Sequence, residues 1–143
     1  MPGARILLVE DDGVLTDLIS RNLRVRQHEI TNAGDAQQAL RCLRTKTFDL
    51  ILLDINLPDQ TGWEVLRIAQ QEELLPSQII AEERVVLPVV VLSAVRVSPR
   101  RLAEFRPLAY LPKPFPMDAL LRLAAEAAAR RTPIASDKEL TTE

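Results

Sequence analysis

Short apolar runs alternate with amphipathic stretches along nearly the whole chain, and this alternation limits the possible folds more than any other feature. RILLVE (5–10), DLILLD (49–54) and VVLPVVVLS (85–93) are apolar almost throughout, which suits strands covered on both faces of a parallel sheet. HEIT (28–31) and LAYL (108–111) complete a set of five, and the more polar HEIT predicts an edge strand. The intervening stretches carry helical spacing. Val14, Leu15, Leu18, Ile19 and Leu23 recur after Gly13, with Asp17, Arg21 and Arg24 between them. Asp35 begins a run with Ala36, Ala39, Leu40 and Leu43 on one face, and Gly62 opens WEVLRIAQQEELL. In SPRRLAEF, Ser98 is the expected N-cap and Pro99 the first helical residue. A last helix is expected from Pro116, aligning Met117, Leu120, Leu121, Ala124 and Ala128.

Five strand–helix units joined by short links predict an α/β fold. The expected form is a doubly wound five-stranded parallel sheet with helices on both faces, a three-layer sandwich of flavodoxin-like order 2-1-3-4-5. At 143 residues the chain fits one domain with a proper core. That domain is expected over 4–131, followed by a disordered polar tail, TPIASDKELTTE, over 132–143. The stretch PSQIIAEER (76–84) is long for a helix-to-strand link. It is expected to extend the surroundings of the third helix or to add a short helix.

Bulk properties exclude several function classes. The 18 basic and 20 acidic residues leave a net charge of −2, so no global field attracts nucleic acid or anionic lipid. Aromatic residues make up 3% of the chain, and no basic stripe with interleaved aromatics is present, so direct DNA binding is not expected. No signal-peptide apolar stretch and no run of about 20 apolar residues occurs, which argues against secretion and against a membrane span. The single cysteine, Cys42, allows neither an internal disulfide nor a thiolate metal cluster and suits a reducing cytoplasm.

The first strand runs directly into Glu10, Asp11 and Asp12. Carboxylates about 5 Å apart repel by roughly 3 kcal/mol per pair at an effective dielectric near 20, so something must offset them. In a doubly wound sheet the site lies beyond the C-terminal strand ends, where the strand order reverses. Strands 1 and 3 are neighbours there, and strand 3 ends in Asp54. The acids therefore belong to one expected site, whose all-oxygen character suits a hard divalent cation, most simply Mg²⁺. Ser93 closes the fourth strand and Lys113 follows the fifth. Such a pocket can hold a phosphoryl group, with an aspartate as nucleophile, a cation and an ammonium offsetting charge, and a hydroxyl donating a hydrogen bond. A cis Lys113–Pro114 bond would aim the lysine inward.

LLVEDD, FDLILLDINLPDQTGWEVL, VVVLSA, YLPKPF and the AGDAQQALRCL helix, in this order and at strand ends, resemble the receiver domain of bacterial two-component response regulators, the CheY-like family. The resemblance covers about residues 4–131. It implies that Asp54 is the phosphoacceptor, Asp11 the direct Mg²⁺ ligand and Glu10 its acidic neighbour, with Asn56 offering its backbone carbonyl to the metal. It implies that Ser93 is the switch hydroxyl, Lys113 its ammonium partner and Tyr110 the aromatic switch; Asp12 falls where an acid is common but not required. The phosphodonor would be a sensor histidine kinase or phosphotransfer protein, and phosphorylation would change protein partners. The chain departs from the pattern in a short Ser93-to-Lys113 link, in FRPLAY before the fifth strand, and in the expanded 76–84 region. No effector domain follows the last helix, so a stand-alone receiver and a fragment both remain open, as does a homodimer.

Two other functions compete. A phosphorylation-independent pseudo-receiver would serve as an interaction module, against which the full set Glu10, Asp11, Asp54, Ser93 and Lys113 counts. A phosphohydrolase with an aspartyl-phosphate intermediate typically needs a second aspartate two residues after the nucleophile, and Asn56 stands there instead. Turnover of an external substrate is therefore not expected; the domain would catalyse only its own aspartyl phosphorylation and dephosphorylation. Trp63 is expected to cover the core edge, His28 to lie at the surface, Cys42 to be structural, and Arg130 with Arg131 to complement the dipole at the last helix's C-terminus.

Overall fold

A computed structural model of the chain describes residues 3–76, 78–80 and 84–141, the side chains of 78–80, 84 and 132–141 excepted. In chain order the elements are β1 (Arg5–Val9), α1 (Gly13–Arg24), β2 (Glu29–Ala33), α2 (Ala36–Thr45), β3 (Leu50–Asp54), α3 (Gly62–Gln71), β4 (Gln78–Ile80), β5 (Arg84–Ser93), α4 (Pro99–Phe105), β6 (Pro107–Pro112) and α5 (Met117–Thr141). The parallel strands stand in the order β2-β1-β3-β5-β6, which is the predicted 2-1-3-4-5 arrangement when parallel strands alone are counted. The polar β2 takes the edge, as its composition predicts.

Successive strand residues point to opposite faces, and both faces are covered. Leu7, Val9, Ile51, Leu53, Val89 and Val91 pack under α2, α3 and α4. Ile6, Leu8, Leu50, Leu52, Val90 and Leu92 pack under α1 and α5. With water absent on either side, no position alternates to polar, which is why these strands read as unbroken apolar runs. Each fully buried side chain of this kind contributes about 1.5–3 kcal/mol. Helix starts follow local capping chemistry: Asp12, Asp35, Thr61 and Ser98 each accept N–H groups of their helix's first turn, and Pro99 opens α4.

The 76–84 region departs from the sequence expectation. In place of added helix it contributes β4, which pairs antiparallel with the start of β5 in the register Gln78↔Val86, Ile79↔Val85 and Ile80↔Arg84. The β-branched pairs Ile79–Ile80 and Val85–Val86 favour this extended pairing. Residues 77 and 81–83 of the expectation lie outside the described ones. Further along β5, its register with β6 shifts between Leu87 and Val90, around Pro88, which has no N–H for the ladder.

The last helix also differs. Helix α5 runs to Thr141, so Arg130 and Arg131 do not occupy its C-terminal turn. Arg131 ties α5 to the base of the sheet: its Nη1 donates to the Gly3 carbonyl at 3.0 Å and lies 3.6 Å from Asp49 Oδ2. Asp49 in turn accepts from the Arg5 guanidinium at 3.1 and 3.2 Å. His28 is buried rather than at the surface, and its Nδ1 accepts the Ala4 N–H at 3.0 Å. Trp63 covers the core edge as expected, stacked on Phe105 with ring centroids 5.5 Å apart and with the Arg101 guanidinium 5.9 Å from its ring.

Candidate functional site

Sheet register brings the acids together. Val9 pairs with Leu53, so Glu10 and Asp54 leave neighbouring strands side by side. Carboxylate oxygens of Glu10, Asp11 and Asp54 all lie within 4.8 Å of one another. Glu10 and Asp54 are each 4% exposed, whereas Asp11 faces solvent. Asp12 is spent differently: its Oδ1 caps α1 through the Val14 and Leu15 N–H groups, at 3.0 and 3.2 Å, and its own N–H donates to Glu10 Oε2.

Lys113 enters from the loop after β6, where the Lys113–Pro114 peptide is cis. Its N–H donates to the Ser93 carbonyl at 2.8 Å, extending the β5–β6 ladder by one step. Its Nζ donates to Glu10 Oε1 at 2.8 Å and to Asp54 Oδ2 at 3.1 Å. Burial pushes the Glu10 carboxyl above the usual range, with the Asp54 charge adding to the effect and the Lys113 hydrogen bond opposing it. Burial pulls the Lys113 ammonium downward, but its hydrogen bonds to Glu10 and Asp54 outweigh that and leave it raised. With all four groups ionised, three carboxylates against one ammonium leave a formal charge of −2.

That charge and an all-oxygen donor set fit a hard divalent cation such as Mg²⁺. Glu10, Asp11 and Asp54 are the side chains that could hold it. Asn56 donates its N–H to Asp54 Oδ1 at 2.9 Å, orienting the carboxylate.

Ser93, 1% exposed, closes β5 beside the cluster, but its hydroxyl bonds elsewhere. Ser93 Oγ donates to the Val95 carbonyl at 2.8 Å and accepts the Val95 N–H at 3.1 Å. The half-buried Tyr110 reaches the same carbonyl at 3.4 Å. Glu10, Asp11, Asp54 and Lys113 are thus drawn together, while Ser93 and Tyr110 meet on the Val95 loop.

Two contributors escaped the sequence reading. Gly62 follows the loop after β3, and a Cβ on it would stand 2.8 Å from the Asp54 carbonyl oxygen. The legible signal was a glycine directly after the N-cap Thr61, close in sequence to Asp54. Asp59, on the same loop, accepts the Ala36 and Gln37 N–H groups of α2. Those bonds, that from Ala36 first, hold its carboxyl below the usual range. An acid within the turn-forming stretch LPDQTG was visible, but its partner helix was not.

A family model described as the response regulator receiver domain matches residues 6–125. The chain belongs to this family. Curated relatives include the transcriptional activator protein PfeR of Pseudomonas aeruginosa, 34% identical over 131 residues, which covers 85% of this chain and 39% of that protein. The response regulator protein PmrA of the same organism is 36% identical over 130 residues, 90% of this chain and 53% of PmrA. The receiver therefore spans about half the length, or less, of these relatives.

Among solved structures, the receiver domain of Francisella response regulator 1452 superposes with a TM-score of 0.74 at 23% identity, covering 90% of this chain and 98% of that one. The receiver domain of sensor histidine kinase PA1611 of Pseudomonas aeruginosa is 30% identical with a TM-score of 0.68. The match covers 89% of this receiver and 98% of that chain, which holds a magnesium ion in its active-site cleft. Both share the CheY-like fold. Among the described residues, no helix of this receiver is long and apolar enough to cross a membrane.

Proposed function

We propose that this receiver takes a phosphoryl group onto Asp54 and uses it to change its protein contacts. A carboxylate oxygen of Asp54 attacks the phosphorus of a phosphohistidine on a sensor histidine kinase or phosphotransfer protein. The P–N bond breaks, the electron pair leaves with the imidazole, and an acyl phosphate forms on Asp54. Lys113, already 3.1 Å from Asp54 Oδ2, is placed to balance the charge that gathers on the phosphoryl oxygens. Glu10 and Asp11, with Asp54 and the Asn56 carbonyl, would hold Mg²⁺, which when bound supplies further charge neutralisation on those oxygens.

Ser93 and Tyr110 form the readout. The Ser93 hydroxyl turns from the Val95 carbonyl to a phosphoryl oxygen, and Tyr110 loses or shifts its partner as that loop moves. Substrate turnover is not part of this reading, since Asn56 offers no acid or base at the position where a hydrolase would need one. The downstream partner is a protein that distinguishes the two states of this surface, and the setting is cytoplasmic.

The observation that supports the reading most is the buried Asp54 carboxylate held between an ammonium and two further carboxylates with a residual charge of −2. Intact-mass spectrometry after incubation with acetyl phosphate and Mg²⁺ tests it. One added phosphoryl group is expected on the parent and none on Asp54→Asn or on metal-free protein. Equal labelling of Asp54→Asn would move the phosphoacceptor elsewhere. No labelling, together with no beryllofluoride binding, would leave a phosphorylation-independent interaction module.

A further inference from the structure

Asp59 lies at the tip of the loop between β3 and α3, yet its carboxylate is bonded chiefly to a different helix. Oδ1 accepts the Ala36 N–H at 2.9 Å and Oδ2 the Gln37 N–H at 3.1 Å, across 23 and 22 residues of sequence. Oδ1 also accepts the Gln60 N–H at 3.0 Å, which fixes the carboxylate against its own loop. Ala36 and Gln37 open α2, where N–H groups have no partner within the helix. The helix's own N-cap, Asp35, takes the third of these groups, the Gln38 N–H at 2.8 Å. The capping of α2 is therefore shared between a local acid and a distant one.

The same loop is closed tightly at its base. Asn56 and Thr61 form a bridge, and the Gly62 N–H donates to the Ile55 carbonyl at 2.7 Å. The Asn56 N–H in turn holds Asp54 Oδ1 at 2.9 Å. A loop pinned at the tip and closed at the base has little freedom to move without moving the Asn56 peptide and the Asp54 carboxylate.

We propose that Asp59 is a positioning residue for the cation site: by clamping the loop onto the start of α2, it holds Asn56 and Asp54 in the arrangement that receives Mg²⁺. The proposal rests on the reading of that site given above. It differs from an ordinary helix-capping role in one consequence. Losing Asp59 weakens Mg²⁺ binding, whereas losing Asp35, which caps the same helix through Gln38 and, among the described residues, has no hydrogen bond to the loop, does not.

The test titrates Mg²⁺ into the full chain by isothermal calorimetry, with the fluorescence of the single tryptophan, Trp63, as a second signal. Thermal melts in EDTA run alongside. Asp59→Ala is expected to raise the Mg²⁺ Kd about tenfold, equivalent to about 1.4 kcal/mol. Asp59→Asn, which keeps one acceptor oxygen, should fall between Asp59→Ala and the parent and covers the case in which Asp59→Ala does not fold. Asp35→Ala should lower the melting temperature and leave the Kd unchanged. An unaltered Kd in both Asp59 variants would reduce Asp59 to a helix cap and overturn the proposal. Equal weakening in Asp35→Ala would overturn it too, by making the helix rather than the clamp responsible. A parent that binds no Mg²⁺ would instead show that the reading of the site has failed, and this proposal with it.

Discussion

Ser93 and Tyr110 converge on one backbone carbonyl, that of Val95, at 2.8 and 3.4 Å. The serine side of this junction borders Asp54, because Asp54 pairs with Leu92 in the sheet register. The tyrosine side is half-buried at the rim. In the proposed reading, a Ser93 hydroxyl that leaves Val95 for a phosphoryl oxygen would couple the state of Asp54 to the Tyr110 ring.

Ser93→Ala is expected to keep Asp54 chemically competent while uncoupling this junction. Tyr110 is the only tyrosine, so selective isotope labelling yields one ring signal. On adding beryllofluoride and Mg²⁺ that signal should move in the parent and stay in place in Ser93→Ala. An equal displacement in both would remove Ser93 from the relay. The substitution itself should cost about 1–3 kcal/mol, because both hydrogen bonds between the Ser93 hydroxyl and the Val95 backbone are lost.

Lys113 balances two buried carboxylates, those of Glu10 and Asp54. Lys113→Met keeps much of the aliphatic stem but leaves Glu10 and Asp54 without the ammonium. Stability in EDTA should fall by about 1–3 kcal/mol, below the full penalty for a deeply buried pair because Lys113 retains solvent access. Mg²⁺ should then raise the melting temperature of Lys113→Met more than that of the parent. Equal metal-induced shifts would show that the ammonium and the cation do not share the same charge.

Gly62→Ala tests how closely the start of α3 crowds the end of β3 at Asp54. The added Cβ would meet the Asp54 carbonyl oxygen at 2.8 Å and the Ile55 Cα at 3.0 Å, both backbone atoms that cannot rotate away. A loss of about 1–3 kcal/mol is expected from such overpacking, with slower labelling by acetyl phosphate because Asp54 is displaced. Parent-like stability in urea melts would mean that the helix start shifts freely.

His28 makes stability depend on pH. Burial, with the Arg26 charge adding to it, lowers its imidazole below the ordinary value of 6.5. Nδ1 must remain unprotonated to accept the Ala4 N–H. A group whose folded pKa is lowered contributes stability that is complete above the unfolded value, and that is lost as pH falls through 6.5 toward the folded one. Urea midpoints should therefore drop from pH 7.5 toward pH 5.5 in the parent. His28→Asn, which offers a neutral acceptor oxygen, should flatten that part of the profile. An unchanged slope would assign the pH dependence to other groups.

Much of the fold was legible because its determinants are local. Periodicity located the five parallel strands and their helices, and the polar character of HEIT placed β2 at the edge. Ser98 and Pro99 announced the start of α4 through capping chemistry that needs no tertiary partner. The acid cluster was legible for a related reason: once the strand order is known, strand ends dictate which residues are neighbours. The 76–84 region was misread because short apolar runs fit helix and strand alike, and the pairing of β4 with β5 decides between them. The orientation of Ser93 and the partner of Asp59 were not legible either, since each polar group had several acceptors or donors to choose from.

By itself, then, the sequence determined the order and type of the elements and the set of polar residues carried to the C-terminal edge of the sheet. Tertiary structure alone decided what those residues touch. It brought Lys113 to Glu10 across 103 positions, Ala4 to His28 across 24, and Asp59 to Ala36 across 23. It also turned Ser93 to Val95 rather than toward the acids. Periodicity reports which face of an element is dry, because burial of apolar area has no direction. Hydrogen bonds and ion pairs have direction and short reach, so their partners are settled only when the packed elements bring particular donors and acceptors within about 3 Å.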